Sequence, residues 1–533
     1  MTQAHPDLLP PMKWNAWGDP QAAKPLSEGI RGLLKQALGI DGPADPELAA
    51  ADVRLRPSTL GDADRDALEA VLGAEFVRTD DANRLLRAGG KSTPDLLRRK
   101  DTGEQDAPDA VLLPADESAV VQVLQLCTER RIAVVPFGGG TSVVGGLDPL
   151  RGEFSAVVSV DLRRLDALHT LDTVSGEAEL GAGVTGPQAE ELLGAQGFSL
   201  GHFPQSFQFA TIGGFAATRS SGQDSAGYGR FDDMVRGLTV VTPAGVLDLG
   251  RAPASAAGPD LRQLIVGSEG VFGIITRVRV RVHPAPETTR HEAWSFPDFG
   301  TGAAALRAVI QTGTGPTVIR LSDEAETGVN LATTESIGEK TITGGCLAIT
   351  AFEGSAAHTE SRHAETAAVL AAHGGTSLGA APARAWEHGR FNAPYLRDSL
   401  LSAGALCETL ETATNWSNIA TLKAAVTAAL LETLGQALVM CHISHVYPTG
   451  ASLYFTAVAA QQGDPLAQWQ RAKMAASQAM VCTGATITHH HAVGADHRPW
   501  MQAEIGDLGV EVLKAVKSTL DPTGIMNPGK LIP

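Results

Sequence analysis

The sequence predicts an α+β protein in which two sheet-containing domains are flanked by helical segments at the N and C termini. Three observations carry that reading. From Ala110 onward, short apolar strands alternate with amphipathic helices and glycine turns. Between Ile274 and Val282, Arg277, Arg279 and Arg281 alternate with Val278, Val280 and Val282, the period of two that marks a half-buried strand. Beyond residue 288 the helices lengthen and the strands become sparse, which suits a second domain built on an antiparallel sheet.

In chain order, residues 1–105 read as a helical appendage, with periodic segments at Gly29–Leu38 and Ala63–Leu72 and a basic, turn-interrupted stretch from Arg84 to Arg99. The polar run Asp101–Asp109 marks a boundary, so a domain is expected over 106–287. It opens with the strand Val111–Pro114 and a helix capped by Asp116 whose apolar face is Val120, Val123, Leu124 and Cys127. The strands Ile132–Val135 and Ala156–Val160 follow, then a hairpin of His169–Val174 with Glu177–Gly181 and a helix Gln188–Gln196 opened by Thr185 and Pro187. A second hairpin joins Gly237–Thr242 to Val246–Leu249. The next domain, 288–480, is expected to hold helices at Ala303–Gln311, His358–Ala372 and Ile419–Leu434 and strands at Cys346–Phe352 and Ser452–Val458. A C-terminal segment, 481–533, begins with a strand Ala485–Thr488.

Composition narrows the function classes. A chain of 533 residues, 43% hydrophobic, is long enough for several large cores. A net charge of −17 argues against a nucleic-acid partner and requires any anionic ligand to be held by a local positive pocket. The five cysteines are scattered with no CxxC pair, as expected of reduced thiols in the cytosol. Met1–Pro6 lacks the basic and apolar regions of a secretory signal, and no run of about 18 apolar residues suggests a membrane span.

Three glycine-rich segments carry the chemistry. The first, Pro136-Phe137-Gly138-Gly139-Gly140-Thr141-Ser142, leaves a strand directly, and its amides and hydroxyls can form an anion nest for a pyrophosphate without a lysine. The second runs from Gln205 and Ser206 through Thr211, Gly213 and Gly214 to Thr218 and Ser221. The third, Gly267–Ile275, contains Glu269, Gly273 and Ile275 and feeds the alternating strand. Singly, each reads equally well as a tight turn, a helix start or a bulge; together they point to one flavin-binding domain.

These segments resemble the FAD-binding domain of the vanillyl-alcohol oxidase (PCMH-type) superfamily. Within it the chain is most similar to the alkyldihydroxyacetonephosphate synthase family. That resemblance rests on Met12-Lys13-Trp14-Asn15-Ala16-Trp17-Gly18, Gly201-His202, Pro394-Tyr395-Leu396-Arg397-Asp398, Cys407–Thr412, Ser452-Leu453-Tyr454-Phe455 and His489-His490-His491-Ala492-Val493-Gly494. It implies a two-part PCMH-type FAD-binding domain followed by an FAD-linked-oxidase substrate domain, with one FAD contacted by Pro136, Gly138, Gly139, Gly140, Thr141, Ser142, Gln205, Ser206, Thr211, Gly214, Thr218, Ser221, Glu269, Gly273 and Ile275. Superfamily members that attach FAD covalently carry a histidine in the first loop; Thr141 stands there, so the flavin is expected to be non-covalent.

The resemblance further implies exchange of the acyl group of acyl-dihydroxyacetone phosphate for a fatty alcohol in ether-lipid synthesis, with flavin N5 as nucleophile and carrier. Tyr454 and the His489, His490, His491 group would move protons, and Arg397 would anchor the phosphate. Each has a plainer alternative: a core tyrosine, a surface or adventitious metal-binding histidine cluster, an exposed ion pair of Arg397 with Asp398 or Glu408. With no acidic or cysteine ligand close in sequence to the histidines, no metal is expected. Arg320 has the form of an arginine on a sheet edge. A homodimer, cytosolic or in peripheral contact with a membrane, is also implied. The competing expectation is an FAD-dependent D-2-hydroxy-acid dehydrogenase or oxidase, D-lactate-like. It is favoured by the tail Asp521–Lys530 and by Phe203-Pro204-Gln205, which stands where the synthases have Glu-Pro-Asp.

Overall fold

The computed structural model describes residues 12–23, 25–42, 48–100, 103–333 and 345–533. The start of the chain, Met1–Pro6, read above for a signal, lies outside the described residues, as do the first two residues of the polar boundary.

Two sheets build the first large unit. In one, Ala156–Asp161 lies parallel between Ala110–Leu112 and Ile132–Phe137, and Val77–Arg78 adds an antiparallel edge. The apolar run Ile132–Val135 is buried on both faces, as a parallel strand requires. The helix Glu117–Arg130 covers it, started by Asp116, whose carboxylate accepts the Ala119 N–H at 2.9 Å. The other edge is closed by the tail of the chain: Val134 donates to the Ile525 carbonyl and Asn527 to that of Val134. The second sheet is antiparallel, in the order Gly245–Leu249, Val235–Thr242, Ile274–Arg281, Glu177–Gly181, Leu168–Asp172. Its alternating strand buries Val278 and Val280 and leaves Arg277 to pair with Glu117 and Glu179.

The appendage is less purely helical than expected. It holds the helices Glu28–Leu38, Asp62–Leu72, Asp81–Leu86 and Thr93–Arg98, yet it also supplies the edge strand Val77–Arg78 and pairs Arg54–Leu55 with Glu104–Gln105.

The third sheet has seven antiparallel strands, ordered Thr376–Gly379, Thr288–Phe296, Cys346–Gly354, Val318–Ser322, Ala437–Val446, Gly450–Ala460, Ala405–Asn415. One face packs on the helices Phe299–Thr312, Ile419–Leu434 and Pro465–Cys482. Odd-numbered residues of the adjacent strands, Cys441 and Ile443, Leu453, Phe455, Ala457 and Ala459, fill that core. Strand periodicity therefore turns Leu438, Met440, His442 and Ser444, and Tyr454, Thr456 and Val458, to the other face, where they line a cavity. No strand forms at Ala485–Thr488, correcting the expectation above. The reason is local capture: Glu504 takes the Thr486 hydroxyl and the Ile487 N–H, and Glu411 takes the Thr488 hydroxyl, so no ladder is open to this segment.

Candidate active site

One cavity of about 680 Å³ lies between the flavin-type unit and the third sheet. Every residue singled out above for cofactor contact lines it, as do Arg397, Tyr454, His490 and His491; His489 stands behind its wall.

The glycine loop reaches this cavity because its residues lack side chains. A Cβ on Gly139 would come within 2.0 Å of the Phe209 carbonyl oxygen, so only glycine lets the loop lie against Phe209–Thr211. The backbone N–H groups from Gly138 to Ser142 donate to no acceptor among the described residues. Consecutive unpaired amides facing a cavity are rare in a folded chain, and they form a nest suited to a pyrophosphate. Gln205 Nε2 and Gln223 Oε1, also on the wall, are buried without a protein partner. Amides that await acceptors, next to unpaired amide side chains, fit a dinucleotide with a polar ring edge. The second segment contributes Thr211, which caps Ile212–Thr218 through Gly214 N–H, and the third contributes Glu269, whose carboxylate accepts Val493 and Gly494 N–H at 3.0 and 2.9 Å. Burial pushes the Glu269 carboxyl up to about 7 against those bonds.

Opposite the loops, Tyr454 pairs across the sheet with His442 on one side and Glu411 on the other. Its ring stacks on His442 at 4.9 Å and lies 6.0 Å from His490 and 5.5 Å from His491. Glu411 shapes the histidine turn by accepting the N–H groups of His489, His490 and His491 at 2.6, 3.1 and 2.9 Å. Burial would raise its carboxyl, but the histidines and the Thr488 hydroxyl hold it well below the usual range. Both nitrogens of His489 are engaged, Nε2 with the Tyr447 hydroxyl at 2.6 Å and Nδ1 with His490 Nδ1 at 3.0 Å. His445 is fixed by the hydroxyls of Ser225 and Ser221 on Nδ1, at 2.7 and 3.0 Å. Burial drives His445, His489, His490 and His491 below the ordinary imidazole value, so they are neutral at pH 7. Burial likewise raises the Tyr454 phenol, opposed by the Thr409 hydroxyl.

The arginines are engaged to different degrees. Arg397 gives Nε and Nη2 to Asp398 Oδ1 at 3.0 and 2.8 Å and Nη1 to the Lys91 carbonyl at 2.6 Å. Arg320 pairs with Glu326, which also accepts His442 Nδ1 at 2.8 Å. Sequence reasoning missed Glu411, His442, His445, Tyr447, Glu326 and Arg390. The motif Cys407–Thr412 held Glu411, and the alternation Met440, His442, Ser444 offered a signal for His442. A nitrogen from each of His445, His489 and His490 lies within 4.8 Å of the others, a spacing a metal ion could use.

Known proteins resemble this chain across both large units. Residues 108–250 match the FAD binding domain family and residues 285–531 the C-terminal domain of FAD linked oxidases, so FAD is the cofactor of this enzyme. D-lactate dehydrogenase [cytochrome], mitochondrial, of Arabidopsis thaliana is 29% identical over 439 residues, 80% of this chain and 74% of its own. A solved structure of alkyldihydroxyacetonephosphate synthase superposes with a TM-score of 0.86 at 30% identity, covering 99% of this chain and 100% of the other. Alkyldihydroxyacetonephosphate synthase of Trypanosoma brucei brucei is 32% identical over 572 residues, 99% of this chain and 93% of its own. Likeness that spans the appendage, both sheet units and the histidine turn means that the chain belongs to the alkyldihydroxyacetonephosphate synthase family.

Proposed function

We propose that this enzyme exchanges the acyl chain of an acyl-dihydroxyacetone phosphate for a long-chain fatty alcohol, with no net redox change. The observation that carries the reading is the continuity of the cavity. It runs from the amide nest, past Tyr454, His490 and His491, to an apolar arm walled by Leu33, Leu34, Ala37, Val329, Leu438 and Met440. Such an arm suits a hydrocarbon chain and has no role in oxidising a small hydroxy acid.

FAD would be held non-covalently by the loop Gly138–Ser142 and would supply a nucleophilic ring nitrogen there. The protein's own residues bind, align and move protons. His489 is a positioning residue, since both its nitrogens are spent within the protein. His490, whose Nδ1 faces His489 and Glu411, keeps Nε2 to take a proton from the substrate carbon and return it. Tyr454 remains a phenol and relays the proton of the incoming alcohol to the neighbouring imidazoles. A cationic side chain of the wall holds the phosphate against the repulsion of a chain with net charge −17. Because both chains come from lipid, the reading carries with it a cytosolic enzyme in peripheral contact with a membrane.

The test is direct. FAD-loaded protein given palmitoyl-dihydroxyacetone phosphate and hexadecanol should release palmitate and form the ether in equal amounts. Release of neither, with oxidation of D-lactate instead, would establish the hydroxy-acid reading.

A further inference from the structure

Among the described residues that line the cavity, the cationic side chains are Arg320, Arg390 and Arg397. They differ in what already holds them. Arg397 has all three nitrogens committed to Asp398 and Lys91, and Arg320 is matched to Glu326, which burial would raise but His442 and Arg320 keep ionised at about 2. Arg390 makes a single side-chain bond, from Nη1 to Asp224 Oδ1 at 3.0 Å. Its Nε and Nη2 have no acceptor among the described residues. Asp224 is a weak counter-charge: its burial pushes the carboxyl up to about 7, with Arg390 opposing and Glu353 and Glu387 reinforcing the rise.

The guanidinium is also pre-oriented. It lies 4.8 Å over the Phe203 ring and 5.1 Å over that of Phe391, and Phe207 stacks on Phe391 at 5.6 Å. Stacking fixes the plane of an arginine while leaving its edge donors free for a planar or tetrahedral oxyanion. Phe203 is followed by Pro204 and Gln205, which line the cavity, so this segment places no carboxylate beside Arg390. The location is right for a headgroup. Asp224 lies between Ser221 and Ser225, whose hydroxyls hold His445, so the loop that positions the imidazoles also positions Arg390.

We propose that Arg390, held against the Phe203 and Phe391 rings, is the residue that binds the oxyanion headgroup of the substrate, the phosphate monoester on the reading above. The inference deepens that reading, yet its binding test does not depend on it. The FAD-loaded enzyme is titrated with inorganic phosphate and, separately, with sn-glycerol 3-phosphate, following the visible flavin spectrum or intrinsic tryptophan fluorescence. Wild type should saturate. Arg390→Gln should bind both at least about tenfold more weakly, the loss expected for one charge-assisted contact. Arg390→Lys should recover part of the affinity, because it keeps the charge but not the stacked fork. In turnover, Arg390→Gln should raise KM for the acyl substrate far more than it lowers kcat, with flavin content unchanged. Equal phosphate affinity in wild type and Arg390→Gln, or no saturable binding in wild type, overturns the assignment. Loss of phosphate binding in a protein that exchanges no chains would leave Arg390 as an anion site and sink the synthase reading instead.

Discussion

Tyr454 and the imidazoles around it owe their states to burial. A phenol kept protonated beside neutral imidazoles can give and take one proton near pH 7 without leaving a charge stranded in an apolar cavity. Tyr454→Phe removes only the hydroxyl, so flavin content should be unchanged while turnover falls by about 10²–10⁴-fold; an unchanged rate would remove Tyr454 from the chemistry. His202 makes a prediction of stability. It is fully buried, bonded through Nε2 to the Ser220 hydroxyl at 3.0 Å and packed on Phe215 and Phe231. Burial takes its imidazole from 6.5 down to about 3. Between those values the unfolded chain binds the proton and the folded one does not, so this contribution is complete above pH 6.5 and is lost as pH falls toward 3. Relative to His202→Gln, wild type should therefore lose up to about 2 kcal/mol between pH 7 and pH 5. Urea midpoints at the two pH values read that difference, and a difference independent of pH would contradict the neutral buried state. Tyr454 and the three histidines could be named from sequence motifs. Glu411 lies in the motif Cys407–Thr412, but that it aims all three histidines was not legible, because its partners lie 78, 79 and 80 positions away.

Among the elements, the helix Glu28–Leu38 changes meaning most between sequence and structure. Ile30, Leu33, Leu34, Ala37 and Leu38 fall on one face by helical spacing, Ser27 starts the helix and Gly39, at φ +69°, ends it. The sequence displays that face but not what covers it. The structure packs it against Leu400, Cys407, Met440 and Val458, so the appendage becomes a wall of the cavity belonging to the third sheet. Ala37→Phe should then narrow the apolar arm and shift the preference from sixteen-carbon toward ten-carbon chains by about tenfold in kcat/KM, without change in flavin binding. Unaltered chain preference would place the hydrocarbon elsewhere. The glycine loop was readable because its requirement is local, a strand followed by residues without Cβ. Gly139→Ala should cost about 1–3 kcal/mol of stability through the contact with Phe209 and should release FAD. Retention of a full complement of flavin would show that the loop does not cradle it. The segment Ala485–Thr488 misled because its β-branched composition suits a strand, while Glu411 and Glu504 consume its hydrogen-bonding groups.

For the whole molecule, three distant parts of the chain close one site. The tail joins the first sheet at Val134 and bridges the flavin loops through the Asn527 amide, which donates to the carbonyls of Gly146 and Glu269 at 3.1 and 2.7 Å. In this chain the tail thus ties the flavin loops down. Across the cavity, imidazoles, arginines and an apolar arm meet, and that convergence is a property of tertiary packing that no local pattern displays. No helix among the described residues is long and apolar enough to cross a membrane. The central claim is that the flavin here serves a chain exchange without net redox change, and anaerobic absorbance spectroscopy of the FAD-loaded enzyme tests it most directly. With acyl-dihydroxyacetone phosphate and fatty alcohol present, ether should accumulate over many turnovers while D-lactate and related D-2-hydroxy acids leave the oxidised flavin bands intact. Stoichiometric bleaching by a D-2-hydroxy acid, with no ether formed, would contradict it.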